Sequence, residues 1–289
     1  MRLLLITRFT LLEAIRRRLF LAVIILSILI LAAFTILLTI VVNDALANPN
    51  NGTDSHLMLL GGGVIITILV MWMLYLLSSM LTIVFSANMI SGEVEAGTFA
   101  VIVPKPLRRF EIVLGKWLGY ALIVCIYTAL MFLAFLGVIY WKTGYWPTGA
   151  PYALGTLELA MLALLGITTL GSSTVPTIVN GAIALMLFIG APTANIVQFI
   201  VQFVNPSSLD TTQNIATVIN LIIPTDALWH GASFYLLPSV ADLVALRIGS
   251  FNTPFTSGQP MAPALLVWAA LYCIALPALA ALRFQHRDL

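Results

Sequence analysis

The sequence predicts an all-α membrane protein with six transmembrane helices. Three observations carry this: 61% of residues are hydrophobic and 8% charged, long apolar runs recur, and basic residues gather in alternate connections. A soluble domain carries about 25% charged residues, so this chain lacks the side chains to cover a water-facing surface. A membrane barrel alternates apolar and polar residues over segments of about ten. Here the runs are continuous and reach the roughly 20 residues that a crossing helix needs. The mean hydropathy is +1.07. A net charge of +2 gives no argument for a nucleic-acid partner. Cys125 and Cys273 lie inside apolar runs with no CxxC or Cys/His spacing, and read as small buried hydrophobes rather than disulfide or zinc ligands.

Residues 1–18 predict an amphipathic helix along the membrane interface. Leu4, Leu11, Leu12, Ile15 and Leu19 share one face, and Arg2, Glu13, Arg16 and Arg17 the other. Arg8 interrupts the apolar face and has to snorkel. The first span is 19–42. Ala45-Leu46-Ala47 after it resembles a signal-peptidase site, but the apolar run exceeds the roughly 7–15 residues of a signal core, so it reads as an anchor. A polar loop follows; its Asn51-Gly52-Thr53 is a sequon of a kind common by chance, and His56 reads as solvated.

The second span, 57–86, opens at Gly61-Gly62-Gly63; Met58, Met71, Met73, Met80 and Met89 read as packing residues rather than a soft-metal path. The third span is 117–140, followed by interface aromatics Trp141, Tyr145 and Trp146. The fourth, 152–170, places Glu158 near its outer end, within reach of water or headgroups. Gly171 to Pro176 is a tight turn. The fifth, 176–204, is expected to break or kink at Gly190-Ala191-Pro192. Asn195, Gln198 and Gln202 recur at helical spacing on it, as pathway-lining residues or as partners in interhelical hydrogen bonds.

Residues 205–263 hold six prolines and only one basic residue, Arg247. They predict an extracytoplasmic segment of short helices packed on the outer face or dipping into the membrane from it. Ser239 and Asp242 resemble a capping box opening a helix to about Ile248, and Ile215–Ile223 is too short to span. The sixth span, 264–282, has Pro277 as a kink. With the amino terminus inside, eleven of the 13 basic residues fall in inner segments, leaving Lys142 and Arg247 outside. By the positive-inside rule both termini are cytoplasmic.

The one long charged island, 88–116, falls on the same side. It holds Glu93, Glu95, Lys105, Arg108, Arg109, Glu111 and Lys116. Such charges cost about 2.5–3.5 kcal/mol each at a membrane centre and must lie outside it. The second span is expected to run through Met89 to near Gly92. Thr98 then serves as N-cap of a short helix ending near Val103, since Pro104 forbids its continuation; Pro106 starts the helix that feeds the third span. Arg108 and Glu111 stand three apart and can pair. The apolar stretch Phe99–Val103, bounded by charge, needs something to bury against.

Glu93-Val94-Glu95-Ala96-Gly97-Thr98, Pro106-Leu107-Arg108-Arg109-Phe110-Glu111 and Leu114-Gly115-Lys116 resemble the inner loop of ABC transporter permeases of the type-2 membrane-domain family. Pro224-Thr225-Asp226 before the last span resembles the subgroup associated with maturation of copper enzymes such as nitrous oxide reductase. The resemblance implies an exporter-like permease of a prokaryotic cytoplasmic membrane, with a coupling helix seated in a cleft of a separate ATPase. The implied ATPase-docking residues are Glu93, Glu95, Gly97, Thr98, Phe99, Pro104, Pro106, Arg108, Arg109, Glu111, Gly115 and Lys116. It also implies two ATPase copies carrying ATP and Mg, and a second permease chain, identical or homologous. An extracytoplasmic partner protein is compatible with it.

No cofactor or catalytic activity is expected in this chain: Gly115-Lys116 is followed by Trp117 and is no phosphate loop, and His56, His230 and His286 are scattered. Two other readings stand beside the permease. A sensor or scaffold that docks an ATPase without transporting shares the docking surface. An ion-driven transporter needs ionisable groups near mid-membrane, and no predicted span has one in its central portion.

Overall fold

The computed structural model describes residues 2–16, 18–47, 54–95, 109–204, 209–237, 253 and 255–285. Among them the chain is helical, without strands; a single bridge joins Thr253 and Thr256. The helices are α1 (Arg2–Arg16), α2 (Arg18–Ala47), α3 (Asp54–Ala87), α4 (Ser91–Glu95), α5 (Arg109–Thr143), α6 (Ala150–Ser172), α7 (Thr177–Val204), α8 (Leu209–Ile222), α9 (Thr225–Leu236) and α10 (Pro263–Gln285). Six of them, α2, α3, α5, α6, α7 and α10, are long and apolar enough to cross a membrane.

Contacts between helix ends fix how the six alternate. At one end Ser91 meets Ser172 and Thr177, and Arg109 reaches the Gln285 carbonyl. At the other the Tyr145 hydroxyl donates to the Leu236 carbonyl at 2.6 Å. The first will be called the island end and the second the far end. Helix α6 is the most enclosed span, 61% of its apolar stretch being buried, against 11% for α2. It holds the centre because it is rich in small residues: a Cβ on Gly166 would stand 3.2 Å from Leu276 Cβ, so α10 packs directly on its backbone. Around it Tyr75, Phe85, Phe132, Phe135, Phe188 and Trp229 fill one continuous core.

Several boundaries differ from expectation. Helix α5 is described from Arg109 and runs through Lys116 into the third span without a break, as the start expected at Pro106 implies, and it continues past the expected end at Tyr140. It stops at Thr143 because Gly144 takes φ +71°, the left-handed turn that ends a helix and that glycine adopts without strain. Helix α3 ends at Ala87 and the chain restarts as α4 at Ser91, where a run to Gly92 was expected. The Ser172 hydroxyl accepts from the backbone N–H groups of both Ile90 and Ser91, at 2.9 and 3.1 Å, and these bonds hold the turn. Helix α7 runs unbroken through Pro192. The proline removes one backbone donor, a loss that membrane-type helices absorb locally. The helix expected from Ser239 and the one expected from Thr98 lie outside the described residues.

The short helices expected between the fifth and sixth spans are present, and of the two placements left open, on the face or dipping inward, they take the second as a hairpin. Helices α8 and α9 fold back at Ile223–Pro224, and α8 contains most of the stretch judged too short to span. Trp268 Nε1 donates to the Leu221 carbonyl at 2.9 Å, and the Tyr272 hydroxyl donates to the Ile222 carbonyl. Tyr272 lies about 14 Å below the start of α10 at 1.5 Å per residue, so the hairpin tip descends roughly half-way down the bundle. Beside it Trp229 stacks on Tyr75 with centroids 5.4 Å apart.

Helix α1 lies against the island end of α5. Gly115 and Gly119 there leave a groove one helical turn long, which Ile6 and Thr10 fill; the Thr7 hydroxyl donates to the Gly115 carbonyl at 3.1 Å. The face that packs is thus Thr7, Thr10 and Ala14, while Leu4, Leu5, Phe9, Leu12 and Ile15 point outward beside Arg8 and Arg16.

Candidate functional site

The island end gathers four of the spans around one short helix. Met89 and Ile90 emerge from α3 fully buried, and α4 opens at the buried Ser91. The Ser91 hydroxyl pairs with that of Thr177 at 2.8 Å, linking α4 to the first residue of α7. Asn180, one turn into α7 and buried, donates through Nδ2 to the carbonyls of Ala87 at 3.1 Å and Thr168 at 2.9 Å. Below it the Ser86 and Thr168 hydroxyls meet at 2.5 Å. Buried polar groups have to find partners within the fold, and here they do so across helices.

Two expected docking carboxylates enter the same network. Glu93 pairs with Lys116, whose side chain is 10% exposed and which also donates to the Met89 carbonyl at 3.0 Å. Glu95 Oε1 accepts the backbone N–H of Thr177 at 2.8 Å. That N–H is one of the orphan donors at a helix start, so Glu95 caps α7 from another part of the chain and places negative charge at its positive end. Gly115 is buried under Ile6. Arg109 donates to the Gln285 carbonyl at 3.4 Å, tying α5 to the end of α10, and Glu111 is half-buried on α5. Gly97, Thr98, Phe99, Pro104, Pro106 and Arg108, with the expected Arg108–Glu111 pair, lie outside the described residues.

A second polar cluster sits at the hairpin tip. Asp226, 2% exposed, accepts from Asn195 Nδ2 of α7. His230 Nδ1 lies 2.9 Å from the Asp226 carbonyl and 3.4 Å from its Oδ2; both are acceptors, so this nitrogen carries the proton. Of the two readings left open for Asn195, the geometry shows an interhelical bond. Gln198 is half-buried, and the Gln202 side chain is outside the described residues. Sequence reasoning missed Asp226 and His230 as a pair. Their i, i+4 spacing after Pro224 was the available signal, hidden because the segment was placed on a surface.

Glu158 is half-buried and lies against Cys125 of α5, with its Oε2 turned away from solvent. Cys273 of α10 donates weakly to the neighbouring Leu159 carbonyl at 3.7 Å. The methionines point several ways, Met71 and Met89 into the core and Met73 and Met80 outward. Among the described residues no group of three His, Cys, Asp or Glu side chains is placed to hold a metal ion.

A family model described as "ABC-2 family transporter protein" matches residues 6–289, nearly the whole chain. The match is to the broad family and lends no support to the narrower likeness to copper-enzyme maturation permeases. No curated protein matches the chain.

Proposed function

As a member of the ABC-2 transporter family the chain is the transmembrane subunit of an ABC transporter, and we propose that it is an exporter permease driven by a separate ATPase. The observation that carries this is a near full-length family match on a chain with six helices long and apolar enough to cross a membrane. In this reading the island end faces the cytoplasm of a prokaryotic cell and both termini lie there. The positive-inside distribution supports that orientation.

The ATPase is expected to dock on the island through the apolar stretch Phe99–Val103 and its flanks Gly97, Thr98, Pro104, Pro106 and Arg108. Apolar residues bounded by charge gain most from a partner that covers them. ATP and Mg belong to that partner, and hydrolysis is its chemistry. Two ATPase copies and two permease chains make up the complex. Glu93, Glu95, Gly115 and Lys116 make contacts within the chain, which favours the middle of the island over its ends as the contact surface.

The test is affinity purification of the full chain from its native membrane, followed by mass spectrometry of the intact complex. Two ATPase and two permease subunits are expected, and Phe99→Glu should lose the ATPase. Recovery of the wild-type chain without an ATPase, or ATPase retention by Phe99→Glu, would count against the assignment.

A further inference from the structure

We propose that Glu93, Glu95 and Lys116 are positioning residues that clamp α4 to the ends of α5 and α7, so that a push on the island moves both helices together. This rests on the ABC-transporter reading above and changes what it implies for these residues. A docking carboxylate has to present its oxygens outward. Here Glu93 is ion-paired with a Lys116 that is itself nearly buried, and Glu95 spends an oxygen on the Thr177 N–H at 2.8 Å.

The arrangement is mechanical in a definable sense. Helix α4 is a single short helix, yet polar contacts fasten it and the turn before it to three others. Lys116 holds α5 to it from one side, donating to the Met89 carbonyl at 3.0 Å as well as pairing with Glu93. Ser172 holds the end of α6 through two backbone N–H groups. Glu95 and Ser91 hold the first residue of α7. A carboxylate bonded to the first free N–H of a long helix grips that helix at its end, where the axis is most easily displaced. Motion of α4 therefore reaches α5 through a charged, largely desolvated pair and α7 through a cap. Helix α7 also carries Asn195, whose amide holds Asp226 at the hairpin tip. The same rigid helix thus joins the island to the hairpin.

Two measurements on the full-length chain test this. First, the apparent Tm of the purified chain is compared for Glu93→Gln, Lys116→Met and the double variant. Each single variant should lower Tm, Lys116→Met the more because it also removes the bond to the Met89 carbonyl, and the double should lose less than the sum of the singles, since the Glu93–Lys116 pair is removed once. Additive losses, or no loss, overturn the clamp.

Second, the complex with its ATPase is assayed for retained ATPase and for the hydrolysis that the membrane subunit stimulates. Glu93→Lys should keep the ATPase bound but lower stimulation by at least about fivefold, the usual lower range for coupling between sites. The swap Glu93→Lys with Lys116→Glu should restore it. Glu95→Gln, which keeps the acceptor oxygen, should behave as wild type, and Glu95→Ala should lose stimulation. Loss of the ATPase by Glu93→Lys and by the swap alike would mean that the carboxylate meets the partner directly, which overturns the proposal. If the wild-type chain binds no ATPase, the transporter reading fails, while the Tm cycle still decides whether the clamp exists.

Discussion

Replacing Gly119 by alanine puts a methyl carbon 2.8 Å from Thr10 Cβ, with the Thr7 carbonyl at 3.3 Å. Backbone on one side and a β-branched residue on the other leave little to give. Overpacking of this kind costs about 1–3 kcal/mol, so Gly119→Ala should lower the apparent Tm of the purified chain and loosen α1 in hydrogen exchange, leaving the other helices protected. Individual side chains were the scale at which sequence reasoning reached least. Lys116 stood in a charged island and read as a surface group. That it turns inward depends on the course of α3, whose end brings the Met89 carbonyl beside it. Gly115 entered the reading as half of a Gly-Lys pair and an implied docking residue, yet with Gly119 it forms the groove for α1. Four-residue glycine spacing was visible, but its partner helix lay a hundred residues away in sequence.

At the scale of elements, the hairpin α8–α9 depends on Trp229. Its ring is 1% exposed, stacks on Tyr75 and donates from Nε1 to the Phe255 carbonyl at 2.9 Å. Large-to-small changes of a buried aromatic cost about 3–5 kcal/mol. Trp229→Ala should therefore free the hairpin tip before it unfolds the bundle. The measurable sign is faster thiol labelling of a cysteine placed at Thr225, with α6 unchanged. Periodicity and proline spacing made the existence of helices between the fifth and sixth spans legible, but not their depth. Depth is set by the Trp268 and Tyr272 donors on α10 and by the ring of Tyr75, none adjacent in sequence. Of the break or kink expected at Pro192, the break is absent: a proline signals a missing donor, and whether the helix ends there depends on what surrounds it.

For the whole molecule, six spans and their alternation were legible, because apolar length and charge asymmetry are properties of the chain rather than of its packing. The order of enclosure was not. Helices α2 and α7 keep most of their apolar surface outward, with Ile36 62%, Ile178 86% and Met186 73% exposed. That surface is left for lipid or for the second permease chain proposed here. Orientation is open to direct measurement. A membrane-impermeant maleimide added outside cells should label Lys142→Cys at the far end, but Arg283→Cys at the island end only after permeabilisation. The reverse pattern would invert the topology and remove the island from any cytoplasmic ATPase.

The seat of the amino-terminal helix has a consequence for how the chain is made. Thr7 is bonded to Gly115, a contact across 108 residues. Synthesis runs at about 5–20 residues per second, so α1 leaves the ribosome several seconds before its groove on α5 exists. In the finished fold Leu4, Leu5, Phe9, Leu12 and Ile15 still face outward. If that face meets lipid first, docking onto α5 uses the opposite, small-residue face and leaves the lipid contact in place.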